Sequence, residues 1–258
     1  RSVCGLAGFC DPTCADDHVI EVMTRALAHR GPDAEGFWRG DGVQFGHRRL
    51  SVIDLEASRQ PMASADGRHV LVFNGEIYNF ADLRRELEAL GHAFRTRGDT
   101  EVLLAACRQW GDEALPRLRG MFAFAWFDRD RGRLLLARDH LGVKPLHWSW
   151  DGRRLLFASE TKALLAHPSV SRDLDPTALG LYLSAQFVPC PRSAFACVRK
   201  LPPGSLLVLE RGGSPQVRRW WRLEYAPKAA FTVPAAAEAL EAVLADSVRA
   251  MLVSDVPL

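Results

Sequence analysis

The stretch MFAFAWFDRDRGRLLLAR, residues 121–138, is two apolar runs, 121–128 and 133–138, about the turn-forming Asp130-Arg131-Gly132. Runs joined by so short a turn pair antiparallel, because a parallel crossover needs about a dozen residues or more. Residues 154–159 repeat the pattern after Asp151-Gly152. Toward the amino terminus, CGLAGF at 4–9 reads as a short buried strand. Residues 16–28 place Val19, Ile20, Met23, Ala26 and Leu27 on one helical stripe that stops at Gly31-Pro32. Strand-like pieces follow at 36–39, 43–47 and 50–55. HVLVFNGEIY at 69–78 reads as a second hairpin, two apolar runs about Asn74-Gly75. Asn79 is the expected N-cap of a helix through Leu83, Leu87 and Leu90, and a second helix runs from Asp99-Thr100 to Trp110-Gly111.

Toward the carboxyl terminus, residues 176–183 read as a short helix, and residues 200–221 as two strands about Gly212-Gly213. Residues 225–233 read as a linker. Residues 234–252 form an amphipathic helix with Leu240, Leu244, Val248 and Met251 on one stripe. Antiparallel strands with helices in groups make the fold class α+β.

At 258 residues, 48% hydrophobic and 25% charged, the composition excludes a disordered chain. A net charge of +2 calls for neither nucleic acid nor an anionic membrane. No apolar run approaches about 18 residues, and Asp11, Asp16 and Asp17 stand where a signal peptide would be apolar, so the expected location is cytoplasmic. Cysteines 4, 10, 14, 107, 190 and 197 form no disulfide framework and read as reduced thiols. Cys10, Cys14 and His18 have the spacing of three zinc ligands. No fourth ligand is evident, so solvated loop cysteines are preferred and no metal is expected.

Taken singly, the chemistry-bearing residues have bland readings: Cys4 as packing, Asn74-Gly75 as a turn, Arg49 as surface charge, Asp99 as a helix cap. Their conjunction is more telling. CGLAGF, HRGPDAEG (29–36), HRRLSVIDL (47–55), QPM (60–62), NGEIYNFADLR (74–84) and GDTEVLL (98–104) stand in one order. GMFAFAWFD (120–128), RDHLGVKPL (138–146), SETKALL (159–165), LPPG (201–204) and SDVPL (254–258) continue it. In this order the chain resembles the N-terminal-nucleophile glutaminase domain of the glutamine-hydrolysing asparagine synthetases, the class II glutamine amidotransferases. The HRGPD, RLS-x-ID and NGEIYN signatures point to that branch rather than to the amidotransferases making phosphoribosylamine or glucosamine phosphate.

The resemblance implies a four-layer αββα N-terminal-nucleophile hydrolase sandwich, two antiparallel sheets between helices. It implies that Cys4 attacks the L-glutamine side-chain amide, with its own α-amine accepting the thiol proton. Asn74 and the Gly75 N–H would stabilise the oxyanion. Arg49 would clamp the α-carboxylate, with Arg48 as its competitor. Glu76 and Asp99 would hold the α-ammonium, and Leu50, Ser51, Val52 and Ile53 would line the same end. No cofactor is implied for this half; ATP and magnesium belong to a C-terminal synthetase domain that would amidate aspartate. The implied division is 4–222 for the amidotransferase domain and 223–258 for a linker and the first helix of a truncated synthetase domain. The expected partners are L-glutamine and that domain, and homodimerisation stays open.

Beside the Cys10–Cys14–His18 spacing, two features depart from the family pattern. The family begins Met-Cys-Gly, whereas this chain reads Arg-Ser-Val-Cys-Gly, so the mechanism requires Arg1–Val3 to be absent from the working enzyme, with Val3 at the initiator position. His147 and Trp148 stand where tyrosines are usual. The residues choosing the acceptor lie outside the sequence, which leaves two alternatives: another acceptor in specialised metabolism, or a non-catalytic scaffold. The joint presence of Cys4, Arg49, Asn74, Gly75 and Asp99 argues against the scaffold.

Overall fold

The computed structural model of the chain describes residues 4–11, 13, 18–50, 59–228 and 230–252. Its elements are β1 (Gly5–Cys10), α1 (His18–Arg25), β2 (Ala34–Gly40), β3 (Val43–Arg49), β4 (Met62–Ala63), β5 (His69–Ile77), α2 (Phe80–Ala89) and α3 (Asp99–Trp110). There follow β6 (Gly120–Asp128), β7 (Arg133–Arg138), β8 (His147–Trp150), β9 (Leu155–Ala158), α4 (Thr161–Leu164) and α5 (Pro176–Ala185). The series closes with β10 (Val198–Lys200), β11 (Ser205–Leu209), β12 (Gln216–Arg219) and α6 (Val233–Met251).

The strands form two antiparallel sheets. One has the order β10-β8-β9-β1-β3-β2 and the other β12-β11-β7-β6-β5-β4. Side chains alternate along each strand, so every central strand feeds two apolar layers. Leu6, Phe45, Val70, Val72, Ala123 and Phe157 meet between the sheets. Ala7, Phe9 and Leu156 turn outward onto Ile20 and Met23 of α1 and Leu164 of α4. On the far side Leu71, Phe73 and Phe124 pack against Leu83 and Leu87 of α2 and Val102 and Leu103 of α3. These are the four layers of an αββα sandwich, and each fully buried Phe or Leu contributes about 1.5–3 kcal/mol by leaving water.

The hairpin expected about Asn74-Gly75 does not form. The segment is one continuous strand, β5, paired with β6 from His69↔Asp128 to Ile77↔Gly120. Gly75 serves close approach here rather than a turn, since a Cβ on it would lie 2.1 Å from the Met121 carbonyl oxygen. Asn79 precedes α2 but gives it no side-chain cap. Its Oδ1 instead accepts the Arg119 N–H and its Nδ2 donates to the Arg117 carbonyl, both at 2.9 Å, tying the helix start to the entry of β6. β8 had no apolar run to announce it and is a strand because β9 and β10 flank it. The 50–55 strand falls almost wholly outside the described residues. The carboxyl-terminal helix appears as expected, as α6; Leu240, Leu244, Val248 and Met251 are each more than half exposed, and Asp246 pairs with Arg119 at 2.5 Å.

The loop after β7 is built around one buried carboxylate. Asp139 accepts N–H bonds from Leu141 (3.2 Å), Val143 (2.9 Å), Lys144 (2.9 Å) and, across the sheet, Phe122 (3.1 Å). Arg138 straps the same loop from the other side through the carbonyls of Gly142, Lys144 and Leu201. Asp139→Ala would leave buried donors unpaired. It is expected to lower the unfolding free energy by about 3 kcal/mol or more, read as a reduced urea midpoint with unchanged slope.

Candidate functional site

In the β1–β3 register Gly5 lies opposite Arg48, which sets Cys4 opposite Arg49. By alternation Cys4 shares the inter-sheet face with Leu6, and Arg49 shares it with Phe45 and His47. Arg48 takes the other face, where its guanidinium is paired with Glu35 at 2.8 Å. The competitor for the clamp is therefore turned away, and Arg49, buried, is the arginine beside the thiol.

The Cys4 Sγ lies 3.3 Å from the Leu50 N–H, which donates to it, and donates in turn to the Leu50 carbonyl at 3.5 Å. Burial pushes this thiol up. The Leu50 contact and the positive charges of Arg49 and Lys144 oppose that rise, and Asp99 adds to it. A thiol held neutral in this way needs a base to become a nucleophile. The Cys4 carbonyl is gripped by Arg30 Nε at 3.0 Å, and Arg30 is itself held by Glu160 at 2.8 Å.

The other sheet supplies Asn74, Gly75 and Glu76 from β5. Asn74 alternates with Val70 and Val72, so its amide enters the same inter-sheet space as Cys4. It is 1% exposed, and neither its Oδ1 nor its Nδ2 has a hydrogen-bond partner among the described residues. Buried amides are rarely left so, because desolvation without a partner costs about 1–3 kcal/mol. Such a group is poised for a ligand.

Asp99 opens α3, but its carboxylate does not cap that helix, whose N-cap is Gly98. Oδ2 reaches back to accept the Ile77 N–H of β5 at 3.0 Å. Burial first, then the charge of Glu76, raise Asp99 to about 6. Glu76 is also raised by burial, against the pull of Lys144. Lys144 is lowered by burial, with Glu76 and Cys4 holding it up.

Cys4, Arg49, Leu50, Asn74, Gly75, Glu76 and Asp99 are thus brought to one end of the inter-sheet space. Ser51, Val52 and Ile53 lie outside the described residues. Sequence reasoning missed Arg30, Glu160 and Lys144. All three stood inside quoted motifs, and only the fold shows that Arg30 and Lys144 lie by Cys4, with Glu160 holding Arg30. Among the described residues no cluster of three His, Cys, Asp or Glu could hold a metal, and Cys14 of the Cys10–Cys14–His18 spacing lies outside them.

The sequence profile of the glutamine amidotransferase domain matches residues 3–221. Asparagine synthetase (glutamine-hydrolysing) 1 of Bacillus subtilis is 38% identical over 260 residues, 99% of this chain and 41% of that protein. Asparagine synthetase B of Escherichia coli is 41% identical over 165 residues, 64% of this chain and 29% of that protein. The glutamine phosphoribosylpyrophosphate amidotransferase structure from B. subtilis superposes with a TM-score of 0.62 at 21% identity. It covers 84% of this chain and 49% of that one, a likeness of fold. The chain spans about two-fifths of the length of asparagine synthetases 1 and 3 of B. subtilis.

The raised Asp99 carboxyl has a thermodynamic signature. Its folded value near 6 lies above the ordinary 3.8, so the folded protein binds more protons between about pH 4 and 6. Stability from this group therefore falls as pH rises through that window. Asp99→Asn keeps an acceptor for Ile77 and removes the titration. The variant is expected to be more stable than the parent above pH 6, by about 2–3 kcal/mol at most, with the two converging below pH 4 in thermal unfolding.

Proposed function

The chain belongs to the glutamine amidotransferase domain family, and from that premise we propose that its site hydrolyses L-glutamine with Cys4 as nucleophile. The observation that carries this reading is the buried Asn74 amide, without a partner among the described residues, entering the space that the Cys4 thiol occupies.

The chemistry follows from the groups present. A free α-amine on Cys4, with a pKa of about 7.7–8.0, takes the thiol proton near neutral pH. The thiolate attacks the side-chain carbonyl carbon of glutamine, and the carbonyl electrons move to oxygen. Asn74 Nδ2 and the Gly75 N–H donate to that oxyanion, where charge exists only in the transition state and the intermediate. Collapse expels ammonia, which takes the proton back from the α-ammonium, and leaves a γ-glutamyl thioester. Water deprotonated by the same amine then releases glutamate and the thiol. At the amino-acid end Arg49 pairs with the α-carboxylate as a bidentate fork, and Glu76 and Asp99 receive the α-ammonium. Arg30 fixes the Cys4 carbonyl and so the direction of the thiol.

All the groups this step needs come from the chain, so neither ATP nor magnesium is required for it. The lengths of the relatives support a larger assembly. There the ammonia would be used by an ATP-dependent synthetase domain whose linker and first helix are residues 223–258, and aspartate is the acceptor their names favour. No described helix is long and apolar enough to cross a membrane.

Protein processed to a free Cys4 amine is expected to form glutamate from glutamine without ATP. Protein keeping Arg1–Val3 should be inactive. Cys4→Ala abolishes turnover but retains glutamine binding by calorimetry. Asn74→Ala lowers kcat about a hundred- to a thousandfold with little change in KM. Arg49→Ala weakens binding by about 1.5–3 kcal/mol. Full turnover by Asn74→Ala, or by protein with residues 1–3 attached, would refute the mechanism.

A further inference from the structure

Beyond Met62↔Leu71, β5 has no strand partner among the described residues on the side away from β6. The backbone groups on that side can be read from the ladder. The Tyr78 N–H bonds to the Arg119 carbonyl, and the Asp139 N–H to the Phe122 carbonyl. In these registers the backbone groups of Asn74 face β6, and those of Phe73, Gly75 and Ile77 face the open edge. The edge is not left bare at its two ends. The Phe73 N–H donates to Gln60 Oε1 at 2.6 Å, and the Phe73 carbonyl accepts from His47 Nε2 at 3.0 Å. The Ile77 N–H is taken by Asp99. The Gly75 N–H lies between these capped groups on the same edge.

We propose that His47 and Gln60 are positioning residues for the reaction: Gln60 holds the Val72–Phe73 peptide by its N–H and His47 the Phe73–Asn74 peptide by its carbonyl, and together they fix the path of β5 through Phe73 and thereby aim the Asn74 amide and the Gly75 N–H at the oxyanion. The inference rests on the glutaminase reading given above. The Phe73 carbonyl belongs to the same planar peptide unit as the Asn74 nitrogen, so a bond to that oxygen fixes the plane from which Asn74 departs. A carbonyl only accepts, so Nε2 carries the proton of His47. His47 is fully enclosed between the sheets, and burial lowers its pKa to about 3, so this donor persists unchanged across the working range of pH. Gln60 stands in register opposite Phe73, where a longer β4 would have offered a backbone carbonyl. Its side-chain oxygen does that task instead, and its own carbonyl is turned toward Gly36, where a Cβ would meet it at 2.1 Å.

A role confined to stability predicts a lower melting temperature with unchanged catalytic constants; a positioning role predicts a selective loss of the oxyanion step. In protein with a free Cys4 amine, His47→Gln and Gln60→Met are expected to lower kcat for L-glutamine about ten- to a hundredfold. KM and the inhibition constant of L-glutamate should stay within about twofold. Alkylation of Cys4 by iodoacetamide, a displacement at saturated carbon that forms no oxyanion, should keep its rate. Gln60→Glu, which retains an acceptor for Phe73, should recover most of the kcat lost in Gln60→Met. Gln60 is partly exposed, so its variants carry the test if His47→Gln does not fold. Unchanged kcat in the variants overturns the proposal, as does a parallel shift of kcat, glutamate affinity and alkylation rate. A parent protein with a free Cys4 amine and no glutaminase activity overturns the glutaminase reading itself, and this inference with it.

Discussion

The antiparallel pairing of β1 with β3 sets Gly5 against Arg48, and the rest of the site inherits its geometry from that register. Side chains on a strand alternate with a period of two, so a slip of one residue in β3 would exchange the faces of Arg48 and Arg49. Arg48 would then enter the sandwich, and Arg49 would meet solvent and Glu35. The observed register instead places a guanidinium beside the thiol and brings the Leu50 amide within 3.3 Å of the sulfur. Packing protects this register. Val43 and Phe45 of β3 are buried between the sheets, and both would be turned out of that core by the same slip.

Electrostatics within the closed end of the sandwich work against ionisation. Burial raises Glu76 and Asp99, lowers Lys144 and raises the Cys4 thiol, so every one of these groups is pushed toward its neutral form. The opposite charges restrain one another: Lys144 lowers Glu76, and Arg49 and Lys144 lower Cys4. An amino acid entering such a site, with its own carboxylate and ammonium, would supply counter-charges to groups that water no longer solvates. That is the logic by which a buried polar site binds a zwitterion more tightly than its exposed equivalent would.

Much of the strand and helix pattern was legible from apolar periodicity, and β7 has the bounds expected of residues 133–138. Asn74-Gly75 misled because the dipeptide favours a hairpin locally, whereas the long partner strand β6 imposes an extended path that no local preference reveals. Asn79 had the chemistry of a cap, yet the nearby Arg117 and Arg119 backbone claimed its amide. β8 was invisible because its four residues show no apolar run and depend on neighbours distant in sequence. At the site, Cys4, Arg49, Asn74, Gly75 and Asp99 were legible as types in an ordered set of motifs. Arg30, Glu160 and Lys144 were not, since an arginine, a glutamate and a lysine acquire meaning only from what the fold places next to them.

β4 is only two residues long, and among the described residues no strand pairs with the edge of β5 beyond it. An exposed edge of that kind is the template on which another chain's strand can add, and proteins usually blunt it with charge or proline. Here the edge is turned inward: Phe73, Asn74 and Ile77 are almost wholly buried, with His47, Gln60 and α3 walling the strand. The strand is thus walled off without offering a docking edge to the outside. The same enclosure bounds how stable this sheet can become, because lengthening β4 toward Gly75 would add ladder hydrogen bonds and in the same stroke occupy the N–H that the proposed glutaminase reaction would use.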